Sequence, residues 1–275
     1  MTEFFAEVNG IKLCYEIHGE GEPIFLVHGY GGKKLDWFTQ IPVLSEKFKV
    51  ITFDNRCSGK SERPNKPITM EMFAEDLKGL MDFLKINKAH IIGRSLGGMI
   101  VQFFTLKYPE RINKLVLINT SYGGVMGDVI KNSTLEELAD LKKDPAQAFW
   151  NSTRFLFHQK FRKQLEKQPN RKFYNLFSAE NLINNISINP PNAEDLINQA
   201  NAFDGFDILD RLSEIVKPTL LIAASHDRIL PKSGMEIMSE KIPNNELKII
   251  EKAGHGSPIS RASEINALII DFLNK

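Results

Sequence analysis

Cysteine is scarce: Cys14 and Cys57 are the two in 275 residues. A disulfide framework or a thiolate metal site needs more of them, at closer and repeated spacing, so neither is expected. Long hydrophobic runs are missing too. No stretch approaches the roughly 18 apolar residues of a membrane span, and the first eight residues carry Glu3 and Glu7 with no basic flank, unlike a secretory leader. Charge of one sign is also lacking. Lys and Arg number 35 against 34 Asp and Glu, a net charge of +1 that offers nothing to nucleic acid or an acidic membrane. Internal repeats and low-complexity segments are absent. These absences lead to the expectation of a cytoplasmic globular protein.

What is present is a rhythm. Residues 24–27, 50–53, 115–118 and 219–224 are short and almost wholly apolar, as expected of strands buried on both faces. Asn9-Gly10 between two alternating runs predicts a hairpin. Amphipathic helical patterns follow the strands at about 70–84, after residue 95, at 233–241 and at 260–273, and a stretch at 36–47 also looks helical, broken locally by Pro42. Strand–helix alternation of this kind predicts a mostly parallel sheet with helices on both faces. From about Gly124 to Phe206 the rhythm stops. Polar helical stretches with many aromatics take over, interrupted at Pro145, Pro169 and Pro190-Pro191. The expected organisation is therefore a core of residues 1–123 and 207–275 and a mostly helical cap of residues 124–206, whose aromatics for the most part pack the cap.

One stretch organises the chemistry. Residues 90–98 read His-Ile-Ile-Gly-Arg-Ser-Leu-Gly-Gly, an apolar run that ends in Gly93-x-Ser95-x-Gly97 and passes at once into a helical pattern. Between strand and helix this is the nucleophile-elbow pattern. A sharp turn exposes the Ser95 hydroxyl, and the first amides of the new helix lack intrahelical partners, which frees the Leu96 N–H for a developing oxyanion. A serine hydroxyl needs an imidazole to take its proton and a carboxylate to orient that imidazole. Asp227 and His255 stand in loops after late strands and supply them, in the chain order Ser95, Asp227, His255. His226 is a rival base, but its position beside Asp227 turns its side chain elsewhere. Another loop, His28-Gly29-Tyr30-Gly31-Gly32, ends a buried strand without the Lys-Ser/Thr of a phosphate loop and reads as a source of backbone amides beside Ser95.

With those residues in view, the sequence resembles the α/β-hydrolase fold superfamily, in its cap-bearing serine-esterase and carbon–carbon-hydrolase branch. The matching motifs are His28-Gly29-x-Gly31, Asp54-x-Arg56-x-x-Gly59-x-Ser61, Gly93-x-Ser95-x-Gly97, Asp227-x-x-x-Pro231 and Gly254-His255. The resemblance implies an eight-stranded, mostly parallel sheet with the cap inserted after the sixth strand. It implies Ser95 as nucleophile, His255 as general base and acid, Asp227 as orienting acid, and an oxyanion hole from the backbone N–H groups of Tyr30 and Leu96. Asp54 and Arg56 are expected to anchor their loop. One departure is Cys57, where the family usually has Gly; a small buried hydrophobe is the expected role.

Serine at position 95 excludes the relatives of this fold that need an aspartate nucleophile, the haloalkane dehalogenases and epoxide hydrolases. The expected function is a serine hydrolase, carboxylesterase-like, acting on small to medium acyl esters or lactones without metal or organic cofactor, as a monomer or homodimer. Two alternatives stand beside it: a carbon–carbon bond or enol-lactone hydrolase of aromatic breakdown, whose substrates would carry carboxylates and for which Arg94 is the one cation near the nucleophile, and, in another class, a ligand sensor that retained the triad.

Overall fold

The computed structural model describes residues 2–125 and 127–275. The chain opens with the hairpin expected at Asn9-Gly10: β1 (Phe4–Val8) and β2 (Ile11–His18) pair antiparallel, and both turn residues take positive φ, 47° and 72°. Strands β3 (Glu22–Val27) and β4 (Phe48–Phe53) follow. Between them the stretch at 36–47 is not one helix. It is a 3₁₀ turn at Lys34–Trp37 and a separate short helix α1 (Ile41–Leu44), because Pro42 has no N–H to donate and is accepted only in the first turn of a helix.

From β4 onward strands and helices alternate. Helix α2 (Met70–Phe83), capped by the Thr69 hydroxyl, leads to β5 (Ala89–Arg94), α3 (Leu96–Lys107) and β6 (Ile112–Ile118). After the intervening helices come β7 (Thr219–Ala224), α9 (Lys232–Lys241) and β8 (Asn245–Ile250). The chain ends in a single turn α10 (Ser257–Ser260) and α11 (Ala262–Asn274) rather than the unbroken final helix expected, since the backbone leaves the helical region at Arg261. The eight strands form one sheet in the order β1-β2-β4-β3-β5-β6-β7-β8. β2 joins β4 antiparallel, and every pairing from β4 to β8 is parallel.

Alternation along the central strands explains why they read as continuous apolar runs. Phe25, Val27, Ile91, Leu115 and Leu117 face a core closed by α2, α3 and α9, and Ile24, Leu26, Ile92, Val116 and Ile118 face a second core closed by α1 and α11. The parallel arrangement brings the carboxyl ends of β3 to β8, and every motif loop, to one edge.

Between β6 and β7 run α4 (Gly127–Lys143), α5 (Pro145–Leu156), α6 (Gln159–Lys167), α7 (Ala179–Ser187) and α8 (Ala193–Ala200). Their aromatics build a core of their own: Phe149, Phe157, Phe161, Phe173 and Phe177 are buried together, with Phe38 and Ile259 of the sheet-edge loops packed against them. Polar anchors fix these helices over that edge. The buried Lys33 ammonium donates to the carbonyls of Asn185 and Ile188 at the end of α7. Tyr174 donates to the Ser260 carbonyl at 2.7 Å, and the Gly256 N–H donates to the Leu156 carbonyl at 2.7 Å.

Candidate active site

Ser95 separates β5 from α3 with φ 55° and ψ −125°, a conformation outside the favourable regions for a non-glycine residue. The bend survives because the surrounding contacts hold it. Ser95 N–H donates to the Ile118 carbonyl at 3.1 Å, and the Thr120 hydroxyl donates to the Ser95 carbonyl at 2.7 Å. Its glycines are there for close approach: a Cβ on Gly97 would stand 2.1 Å from the Val27 carbonyl oxygen, and one on Gly93 would stand 2.5 Å from the carbonyl oxygen of Gly97. The half-buried Ser95 side chain lies against Gly29, whose ideal Cβ position is 3.5 Å from Oγ. The loop that carries Tyr30 therefore passes beside the nucleophile candidate, and Leu96 is the first residue of α3.

Asp227 and His255 meet although 28 positions separate them: His255 Nδ1 lies 2.7 Å from Asp227 Oδ2, with both side chains buried. The other carboxylate oxygen, Oδ1, accepts the N–H groups of Ile229 and Leu230 at 2.8 and 2.9 Å. Three bonds thus fix the carboxylate, and the carboxylate fixes the imidazole. His226 is exposed and turned away, its ring beside Ser225 Oγ and 4.6 Å from the His158 ring at the start of α6.

Asn119 ties the pieces together and was not singled out from the sequence. Its side-chain amide donates to the His255 carbonyl at 2.9 Å and to Ser257 Oγ at 2.8 Å, and its carbonyl oxygen accepts the Ala224 N–H at 3.0 Å. Its signal was position alone, the first residue after a buried strand at the active edge. Gln199 on α8 is a second such residue. Its carbonyl oxygen accepts the Gly31 N–H at 3.1 Å, and its amide donates to the Cys57 carbonyl at 2.7 Å and to Ser58 Oγ at 3.1 Å. The Tyr30 hydroxyl donates to the Leu196 carbonyl on the same helix at 2.9 Å.

The remaining motif residues hold loops. His28 is buried, with Nδ1 2.8 Å from the Gly29 carbonyl and Nε2 accepting the Asn55 N–H at 3.0 Å; burial lowers its pKa. Asp54 accepts the backbone N–H groups of Lys34 and Lys60 at 2.7 and 2.9 Å. Arg56 makes a buried two-pronged bond to Asp76, at 2.6 and 2.5 Å. Cys57 takes φ 59°, the left-handed conformation that favours the family's glycine, and its thiol is wholly buried, facing the Pro64 carbonyl. Burial pushes that thiol up to about 12.

A family model for the alpha/beta hydrolase fold matches residues 22–262. The chain belongs to the α/β-hydrolase family. This α/β hydrolase is 30% identical over 294 residues to 2-hydroxy-6-oxononadienedioate/2-hydroxy-6-oxononatrienedioate hydrolase 1 of Pseudomonas putida, covering 99% of this chain and 96% of the relative. It is 29% identical over 273 residues to a protein named as a carbamate hydrolase, RutD, of Caulobacter segnis, covering 97% of each. Among solved structures, the enol-lactonase of Burkholderia xenovorans superposes on this α/β hydrolase with a TM-score of 0.82 at 26% identity, over 99% of this chain and all of that one.

Proposed function

We propose that this α/β hydrolase is a serine hydrolase that cleaves carboxylic esters or lactones of small to medium acyl chain, with Ser95 as nucleophile, His255 as general base and acid, and Asp227 as the orienting carboxylate. The observation that carries this reading is the buried 2.7 Å contact of His255 Nδ1 with a carboxylate whose second oxygen is already pinned by two backbone amides. A proton on Nδ1 shared with Asp227 leaves the Nε2 lone pair to accept the Ser95 proton. Ser95 Oγ then adds to the carbonyl carbon, and the backbone N–H groups of Tyr30 and Leu96 receive the oxyanion. Collapse breaks the ester bond, and His255 hands its proton to the departing alkoxide. Water, deprotonated by His255, adds to the acyl-enzyme and releases the acid. The two free, buried cysteines fit a reducing compartment such as the cytoplasm.

The test is turnover of p-nitrophenyl acetate, butyrate and octanoate. Ser95→Ala is expected to lower kcat by on the order of 10⁶ and Asp227→Asn by roughly 10⁴, the losses seen when a triad loses its nucleophile or holds the wrong tautomer. Equal turnover by wild type and Ser95→Ala removes Ser95 from the mechanism.

A second reading is favoured by the Pseudomonas putida and Burkholderia xenovorans proteins: hydrolysis of a dienoic carbon–carbon bond or an enol-lactone by the same three residues. A panel that sets esters and lactones against a vinylogous dienoate separates the two by the ratio of kcat/KM values.

A further inference from the structure

The sheet ends at β8, and among the described residues no strand pairs with its outer edge. An open edge offers unpaired N–H and C=O groups to another strand, and proteins ordinarily guard it with proline, a bulge or charges that repel an incoming copy. β8 has none of these guards. It reads Asn-Glu-Leu-Lys-Ile-Ile, without proline, and its register with β7 runs unbroken from Asn245 to Ile250. Its two charges, Glu246 and Lys248, are of opposite sign and share one face of the strand, with side chains 37% and 44% exposed. Ile249, on the other face, is an exposed apolar side chain. The direction of the peptide groups is fixed as well. The carbonyls of Asn244 and Ile250 accept the N–H groups of Thr219 and Ser225 at 2.9 and 3.0 Å, so alternate residues from 244 to 250 turn their peptide groups to β7. Asn245, Leu247 and Ile249 therefore turn theirs outward. β1, at the opposite edge, carries Glu7 as its single charge and has no such balance.

We propose that β8 is the interface of a homodimer, in which the β8 strands of two copies pair antiparallel about a two-fold axis at Leu247 and join the two sheets into one. The charges select this register. With the axis at Leu247, Glu246 lies opposite Lys248 of the second copy, and by symmetry Lys248 lies opposite its Glu246. These are the non-hydrogen-bonded positions, where side chains of facing strands come closest. The outward peptide groups match in the same register: Leu247 meets Leu247, and Asn245 meets Ile249. Moving the axis one residue either way sets Glu246 against Glu246 or Lys248 against Lys248, which repulsion disfavours. A slip by a single residue sets outward peptide groups against groups already spent on β7. The charged face also borders a cleft of about 400 Å³ whose walls include Leu220, Leu268 and Phe272, an apolar bed for the methylenes of the facing lysine. Asp271 stands in the same wall, a carboxylate with no bonded partner. Because the second strand runs the other way, the two candidate active edges open on opposite sides of the dimer, and the proposal is independent of the hydrolase reading.

The experiment is sedimentation equilibrium of the full chain from about 1 to about 200 µM, where the wild type is expected to pass from monomer to dimer. Glu246→Lys and Lys248→Glu each set like charges against each other on both sides of the axis. Each is expected to raise the dimer Kd about 10- to 100-fold. The double reversal Glu246→Lys/Lys248→Glu restores opposite charges across the axis and is expected to return Kd to within about threefold of the wild type. Glu246→Lys also breaks the 2.7 Å ion pair with Lys275. The double reversal breaks it too, so recovery there separates pairing across the axis from that loss. Both positions reach solvent, and circular dichroism with urea midpoints checks that all three variants fold. A wild type that stays monomeric through the whole range overturns the proposal. So does a dimer that neither single reversal weakens, which would place the interface elsewhere. A dimer that the single reversals weaken and the double reversal leaves weak overturns it as well, since the charges would then act without facing each other.

Discussion

At the scale of the residue, Ser95 and Cys57 are two of the side chains that sit where the backbone would favour glycine, and the reasons differ. Ser95 keeps its strained φ at a bend that, in the proposed mechanism, presents the nucleophilic hydroxyl. Cys57 keeps φ 59° in a loop where the thiol does no visible chemistry: it is wholly enclosed, and its carbonyl rather than its sulfur meets α8. Burial holds the Cys57 thiol at about 12 and the Cys14 thiol at about 11, so neither carries thiolate near neutral pH. The native protein is therefore expected to leave both cysteines unmodified by 5,5′-dithiobis(2-nitrobenzoate) over the first minutes at pH 8, and the urea-unfolded chain to release two equivalents. Fast reaction of Cys57, identified by its absence in Cys57→Ala, would show that the loop after β4 opens in the native protein.

At the scale of the element, α8 does more than cover the site. Gln199 spans from this helix to the loop after β3 and the loop after β4, and the Gly31 N–H it receives is one residue from the proposed oxyanion donor Tyr30. Gln199→Ala leaves the Gly31 N–H and the Cys57 carbonyl without partners in a buried place, an expected cost of about 1–3 kcal/mol in stability. Loss of register in the oxyanion loop is expected to lower kcat on p-nitrophenyl butyrate by roughly 10- to 100-fold with a much smaller change in KM. A change confined to the unfolding midpoint would make the contact purely structural. None of this was legible in the sequence. The strands were, because each central strand is apolar on both faces and leaves a continuous run. The elbow was, because two glycines at fixed spacing are demanded by carbonyls 2.1 and 2.5 Å from where a Cβ would lie. The stretch at 36–47 misled because its apolar spacing spans two separate short helices that Pro42 keeps apart. Gln199 and Lys33 left no pattern at all, and Asn119 left only its position after a buried strand: each is a polar residue that becomes meaningful only when tertiary structure brings distant backbone groups to it.

At the scale of the whole molecule, stacking a sheet between two helical layers encloses polar side chains along with the apolar ones, and the histidines among them make stability depend on pH. His28 uses Nδ1 toward the Gly29 carbonyl and Nε2 to accept the Asn55 N–H, so protonation of Nε2 would cost that bond as well as desolvation. Burial lowers its pKa below the ordinary 6.5. His90, buried in β5, shifts the same way because desolvation outweighs the pull of Glu22, 3.1 Å away. Below about pH 6.5 the unfolded chain binds protons at both positions that the folded chain refuses. The stabilisation from keeping them neutral is thus complete above that pH and is lost as pH falls toward the depressed folded values. Each histidine adds at most about 1.4 kcal/mol per pH unit to the slope. Urea midpoints are expected to be level from pH 8 to 7 and to drop from pH 6.5 to 5.5, while His28→Asn, less stable at pH 8, shows a shallower fall across the same window. An equal fall in the variant would move the acid sensitivity away from the His28–Asn55 contact and onto other groups of the fold.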